Sequence, residues 1–234
     1  MAENCLLYYI TDRRAFPGDE CSHRRRLLEK IREAVEAGVD YIQLREKDLS
    51  TRELESLARE AVGVIHERSQ VRTENLEPRT ALLINSRADV ALAVKAEGVH
   101  LRSDDISPHD VRTAWTECGT GTPFDRLRAS SARQNSPGDP VIGVSCHSPA
   151  EVARAAAGAA SFAVFAPVFE KKAAHPAGLE FLKEACRANI SVLALGGITL
   201  ANAHSCLVAG AAGIAAIRLF QDNDIAMVVK KLRG

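Results

Sequence analysis

Aromatic side chains are scarce in this chain, 5% of its residues with a single tryptophan, and no stretch interleaves them with a run of lysine or arginine. Nucleic-acid surfaces are built from basic stripes and stacking rings, so no nucleic acid is expected as a partner. An excess of either charge is missing too. Thirty basic and thirty acidic residues cancel, so nothing in the net charge draws the chain to an anionic membrane. No apolar run approaches the ~20 residues that span a bilayer. The opening MAENCLLYYITDRR lacks a basic stretch leading into a long apolar core, so no signal peptide is expected and a cytoplasmic location is. The six cysteines, Cys5, Cys21, Cys118, Cys146, Cys186 and Cys206, are scattered with no Cys-x-x-Cys pair. That spacing argues against zinc, and several of them lie in apolar runs, where a thiol serves as a small hydrophobe.

What is present is a rhythm. Apolar residues make up 46% of the chain, and short β-type runs alternate with longer helical patterns. Eight runs read as strands: Leu6–Thr11, Tyr41–Leu44, Ala81–Ile84, Gly98–Leu101, Val141–Ser145, Phe162–Ala166, Ser191–Leu195 and Gly213–Ile217. They are continuous rather than alternating, as expected of parallel strands covered on both faces. Between them, segments such as RRRLLEKIREAVEAG and TRELESLAREAVGVIHE carry apolar residues at helical spacing. Eight β-then-α units in 234 residues predict one α/β domain, a TIM (β/α)8 barrel. An open doubly wound sheet is the alternative, but no Gly-rich dinucleotide loop supports it. Two polar connectors interrupt the rhythm, Ser69–Arg79 and residues 116–140. Both fall on the helix-to-strand side, and the second, rich in Gly, Ser, Pro and Arg, reads as a surface insertion.

Barrel ligands sit just beyond the C-terminal ends of the strands, which turns the sequence into a list of sites. Gln43, Arg45 and Lys47 alternate in QLREK and face one side, a cationic pair beside an amide, suited to a diphosphate. The competing account is a surface ion pair with Glu46 or Asp48. Asn85 follows the third strand. Asp104 and Asp105, in RSDD after the fourth, offer a carboxylate to an oxygen-seeking Mg²⁺, although SDDISPHDVR also reads as a helix cap with an acidic first turn. Ser145 ends the fifth strand. His147 follows as a candidate acid or base or a structural histidine, and Ser148 to Glu151 forms a capping box. Gly196-Gly197 after the seventh strand and Arg218 after the eighth mark a second anion site, where glycines let backbone N–H groups approach a phosphate.

The motifs YYITDR, YIQLREKD, INSRADVALAVKAEGVHL, IGVSCHS, FAPVFEKK and LALGGITLANAHSCLVAGAAGIAAI occur in strand order over nearly the whole chain. In this order they resemble the thiamine phosphate synthase/TenI superfamily of TIM barrels. The resemblance implies an alkyl-aryl transferase joining a hydroxymethylpyrimidine diphosphate to a thiazole phosphate, with Mg²⁺ as cofactor. Its partners would be those two small molecules, and a homo-oligomer is compatible with such barrels. It also implies the roles of individual residues. Arg45, Lys47 and Ser145 form the catalytic set. Gln43 and Asn85 join them on the pyrimidine diphosphate, Asp105 is a metal ligand, and Gly196, Gly197 and Ile217 lie on the thiazole phosphate side. Three positions depart from the synthase pattern. Ser86 stands for a second metal carboxylate, APVFEKKAAHPAG lacks the threonines of the phosphate cradle, and Arg218 replaces a serine. Lys171, Lys172 and Arg218 are therefore expected to supply positive charge to the phosphates in place of the hydroxyls. TenI tautomerases also lack the second carboxylate, but their catalytic histidine falls on Pro167. A tautomerase and a non-catalytic thiazole or thiamine phosphate binder stand as alternatives.

Overall fold

The computed structural model describes residues 5–71, 80–117, 139–169 and 176–234, with only the backbone described for 68–71. Lys171, Lys172 and most of the 116–140 segment lie outside the described residues.

Eight strands, β1 (Leu6–Ile10), β2 (Tyr41–Leu44), β3 (Ala81–Asn85), β4 (Gly98–Leu101), β5 (Val141–Cys146), β6 (Phe162–Phe165), β7 (Ser191–Ala194) and β8 (Gly213–Ala216), pair in chain order. All are parallel, and β8 returns onto β1 to close the ring. The expected barrel is therefore formed, with strand limits within a residue of the apolar runs. Helices α1 (Glu20–Glu36), α2 (Thr51–Val71), α3 (Ala88–Val94), α4 (Pro108–Glu117), α5 (Pro149–Ala157), α6 (Gly178–Ala185), α7 (Ala203–Val208), α8 (Arg218–Gln221) and α9 (Ile225–Arg233) follow the strands.

The continuous apolar runs have a simple cause: both faces of each strand are buried. Leu7, Tyr9, Ile42, Leu44, Leu82 and Ile84 point outward into the layer shared with the helices. Tyr8, Ile10, Tyr41, Leu83, Phe162 and Val164 belong to a separate inner cluster that fills the lumen. Its largest members are aromatic. Tyr41 stacks on Phe162 at 4.7 Å, and Tyr8 meets both edge-on at 5.9 and 5.3 Å. Gly143 makes room for this plug, since a Cβ there would lie 2.7 Å from Phe162 and 2.8 Å from the His100 ring. On α1, Leu27, Ile31, Ala34 and Val35 recur at helical spacing and are buried, and Asp19 caps its start by accepting the Ser22 N–H at 2.9 Å.

Opposite the strand-end rim, the two ends of the fold are clasped together. Asp40 accepts the Leu7 N–H at 2.7 Å and pairs with Arg233 of α9. Arg233 also donates to the carbonyls of Cys5, at 3.0 Å, and Gly38, at 2.8 Å. A rigid scaffold results, with the opposite rim left for chemistry.

Candidate active site

After β2 the chain runs Arg45-Glu46-Lys47-Asp48, and both carboxylates are taken up by Arg13. Glu46 is buried. It accepts the Thr11 hydroxyl at 2.6 Å, the Arg13 N–H at 3.1 Å and the Arg13 guanidinium at 3.2 Å. Asp48 accepts two guanidinium N–H groups of Arg13 at 2.7 and 2.9 Å, and Glu20 a further two at 2.7 and 3.2 Å. Thr11 Oγ1 accepts the Arg45 N–H at 3.0 Å, which ties this brace to the backbone of the site. The ion pair weighed for Arg45 and Lys47 is thus not formed, because Arg13 takes both candidate carboxylates. Among the described residues neither Arg45 nor Lys47 meets a carboxylate. Arg45, then partial burial, then Arg102 hold the Lys47 pKa below its ordinary value. Arg45 and Lys47, close together with no carboxylate partner among the described residues, form a ready anion site.

Neighbouring strands complete this side of the rim. Gln43 Nε2 donates to Asn85 Oδ1 at 3.1 Å. Ser86 adopts a left-handed φ of 53° and donates its hydroxyl to Asp105 Oδ2 at 2.8 Å. The same oxygen accepts the Arg102 N–H at 2.8 Å, and Oδ1 faces the Arg102 guanidinium at 3.2 Å. Burial pushes the Asp105 pKa up, but these donors outweigh it and hold the carboxyl below its ordinary value. The α4 cap is Ser107, whose Oγ accepts the Asp110 N–H at 3.1 Å, so Asp105 is not spent on the helix. His100 and Ser145 meet at 2.8 Å, and His100 also meets Tyr8 Oη at 3.0 Å. Burial, then the nearby Arg45, push the His100 pKa down to about 3, so the ring is neutral.

Across the rim, Gly196 and Gly197 take φ values of 102° and 63°. A Cβ on Gly196 would lie 2.8 Å from Pro167 Cα, so glycine is needed where the loops after β6 and β7 touch. Asn202 braces the turn by donating to the Gly197 carbonyl at 2.9 Å and accepting the Thr199 N–H at 2.8 Å. Ile217 stands before α8, followed by the exposed Arg218, which meets no carboxylate among the described residues. Gln221 ties this corner to the loop after β1, donating to the Asp12 carbonyl at 2.7 Å and accepting the Asp12 N–H at 3.3 Å. His147 has a structural post. Its Nδ1 lies 2.7 Å from the Ala166 carbonyl and its N–H donates to Glu151 at 2.7 Å, while Ser148 caps α5.

Parallel strands bring these residues to one rim: Gln43 bonds to Asn85, and the charge of Arg45 is felt by both Lys47 and His100. Sequence reasoning set Arg13 after the first strand and His100 within the fourth but gave neither a role, and it passed over Tyr8. The available signal was a polar residue inside an apolar strand, which when buried must find a partner.

A closed (β/α)8 barrel whose strand-end rim carries unpaired cations beside an amide pair and a serine belongs to the class that handles phosphorylated small molecules. A family model described as thiamine monophosphate synthase (TMP-TENI) matches residues 7–122 and 120–220, and the chain belongs to that family. It is 34% identical to the thiamine-phosphate synthase of Clostridium novyi, over 94% of this chain and 93% of that one. To the thiamine-phosphate synthase of Methanospirillum hungatei it is 32% identical, over 97% of this chain and 96% of that one. Thiamine phosphate pyrophosphorylase from Pyrococcus furiosus superposes with a TM-score of 0.72 at 28% identity, over 99% of this chain and 95% of the other. Among the described residues no helix is long and apolar enough to cross a membrane.

Proposed function

We propose that this chain is a thiamine-phosphate synthase, joining a hydroxymethylpyrimidine diphosphate to a thiazole phosphate with release of diphosphate. The observation that carries the proposal is the Arg45 and Lys47 pair, which meets no carboxylate among the described residues, on the same rim as the Gln43–Asn85 amides. In the reaction the bond between the pyrimidine methylene carbon and the diphosphate oxygen breaks, and its electron pair leaves with diphosphate. The electron-rich aminopyrimidine stabilises the cationic methylene. The thiazole nitrogen then donates its lone pair to form the new carbon–nitrogen bond. Charge placement and positioning do this work, so no side-chain nucleophile is required. Arg45 and Lys47 hold the departing diphosphate, and Ser145 faces the same group. Gly196, Gly197 and Arg218 hold the thiazole phosphate, and Lys171 and Lys172 bring further positive charge to these phosphates.

Mg²⁺ is the cofactor this family reading implies, and Asp105 is the residue that would hold it. One carboxylate fits an ion that is commonly bound by one or two carboxylates together with substrate phosphates. The Arg102 partner of Asp105 is 60% exposed, so yielding it costs no more than about 1 kcal/mol. When bound, the ion would offset negative charge on the diphosphate. Ser86 leaves the site one carboxylate short, and its left-handed backbone is one that aspartate tolerates. Ser86→Asp is therefore expected to lower the Mg²⁺ concentration for half-maximal rate about tenfold. Rate against free Mg²⁺ and calorimetry with diphosphate measure it, and an unchanged requirement removes Asp105 from the metal site.

The deciding assay supplies purified protein with both phosphorylated precursors and Mg²⁺ and follows diphosphate and thiamine phosphate together. Formation of both supports the synthase. Isomerisation of a thiazole carboxylate phosphate, with no coupling product, would replace it by the tautomerase.

A further inference from the structure

Ser145 Oγ lies 2.8 Å from His100 Nε2, and His100 Nδ1 lies 3.0 Å from Tyr8 Oη. A serine on a histidine held by a third group is the layout of a nucleophilic triad. What the serine can do depends on which way the protons point. The ring is neutral, so it carries one N–H and one lone pair. In one arrangement Nδ1–H donates to Tyr8 Oη, and Nε2 accepts the serine proton, as a general base would. The Tyr8 O–H proton is then stranded, because Tyr8 is fully buried among Tyr41 and Phe162 and its hydroxyl meets no other partner among the described residues. An orphaned hydroxyl in such a lumen has given up its water without gaining a partner, which disfavours this arrangement. In the other arrangement Tyr8 donates to Nδ1 and Nε2–H donates to Ser145 Oγ, so both fully buried donors are satisfied and the one hydrogen left over belongs to the half-buried serine at the rim. The serine proton is then turned away from the ring.

We propose that Tyr8 and His100 are positioning residues that fix Ser145 as a hydrogen-bond donor to the departing diphosphate oxygen, not as a nucleophile. The target of the donation rests on the synthase reading, whereas the direction of the protons does not. No proton is transferred: the serine hydroxyl shares its hydrogen with the oxygen that receives the bonding pair as the carbon–oxygen bond breaks. The charges that reach the histidine are Arg45, after β2, which opposes its protonation, and Asp105, after β4, which favours it less strongly, while the Tyr8 ring packs against it at 5.7 Å.

Two measurements test this. In protein labelled with ¹⁵N-histidine, the His100 signals, assigned by their loss in His100→Asn, are expected to show a bare Nδ1 and a protonated Nε2. That pattern is expected to persist from about pH 5 to about pH 8, where an ordinary histidine changes charge. Tyr8→Phe keeps the ring packing but frees the tautomer, so kcat is expected to fall roughly tenfold to a hundredfold with both KM values unchanged. The ring nitrogens of the variant should show mixed protonation. A protonated Nδ1 in the unsubstituted protein overturns the proposal, as does a Tyr8→Phe enzyme with full kcat. The stated tautomer in a protein that forms no thiamine phosphate overturns the functional reading and leaves the proton lock standing.

Discussion

Arg45→Ala is expected to lower kcat/KM roughly 10²- to 10³-fold, the cost of removing one preorganised donor from a site of developing negative charge. The same change is expected to leave the unfolding midpoint where it is or to raise it. The reason lies in how the rim is charged. Arg13 holds Glu46 and Asp48, which leaves Lys47 under the repulsion of Arg45 and, to a lesser degree, of Arg102. Lys47 has its pKa lowered in the folded protein. A cation so affected weakens the fold at every pH below its unfolded value, and relieving the repulsion returns that stability. Residues kept for binding at the expense of stability show this combination of lost activity and unimpaired folding. Steady-state rates with varied diphosphate substrate, beside a denaturant curve, measure both halves. An Arg45→Ala protein that keeps its activity, or that loses several degrees of thermal midpoint, would make Arg45 a structural residue. Added salt gives an independent check, because screening should weaken substrate binding more in the unsubstituted enzyme than in the variant.

The barrel and half of its rim could be read from residue order. Continuous apolar runs at regular intervals predict strands buried on both faces, and the eight strands occur there. The period of two in QLREK predicts Gln43, Arg45 and Lys47 on one side, and Arg45 lies near enough to Lys47 to lower its pKa. What residue order does not carry is the partner of the intervening residues. Glu46 and Asp48 are neighbours of Arg45 in the chain, yet they bond to Arg13, 33 and 35 residues earlier. Only the closure of β1 against β2 makes that pairing available. The Tyr8–His100–Ser145 chain was hidden for a related reason. Ser145 was legible as a strand-end residue, but Tyr8 and His100 sit inside the apolar runs LLYYI and GVHL, where they read as core. Alternation alone gives their inward direction. Their common level follows from the strand stagger and from Gly143, which opens the lumen to the histidine ring.

Arg13→Ala is expected to destabilise the fold by about 3–5 kcal/mol near pH 7, the usual consequence of removing one partner of a buried ion pair. The Arg13 and Glu46 side chains are only 3% and 2% exposed, so neither can turn to water when the other is lost. Without the guanidinium, Glu46, Asp48 and Glu20 would face one another across the space it leaves. The defect should reach the site as well, since Glu46 holds the Thr11 hydroxyl that accepts the Arg45 N–H. The pH dependence separates this account from a simple cavity. Burial raises the Glu46 pKa even in the intact protein, where Thr11 and Arg13 pull it partly back. Loss of Arg13 removes part of that pull and moves the pKa further up. A carboxyl whose folded pKa is raised weakens the fold above that value, and this penalty fades as pH falls through it and the proton is taken up. Asp48 acts in the same direction on the difference. Arg13 holds its pKa down in the intact protein, a contribution present above the ordinary carboxylate range and lost on acidification. The gap between the unsubstituted protein and Arg13→Ala should therefore narrow from about pH 7 to about pH 5 and below. Urea unfolding at each pH measures it, with Arg13→Met as the control that fills the volume without restoring charge. A gap that stays constant with pH would assign the loss to packing and free Glu46 from any part in bracing the rim.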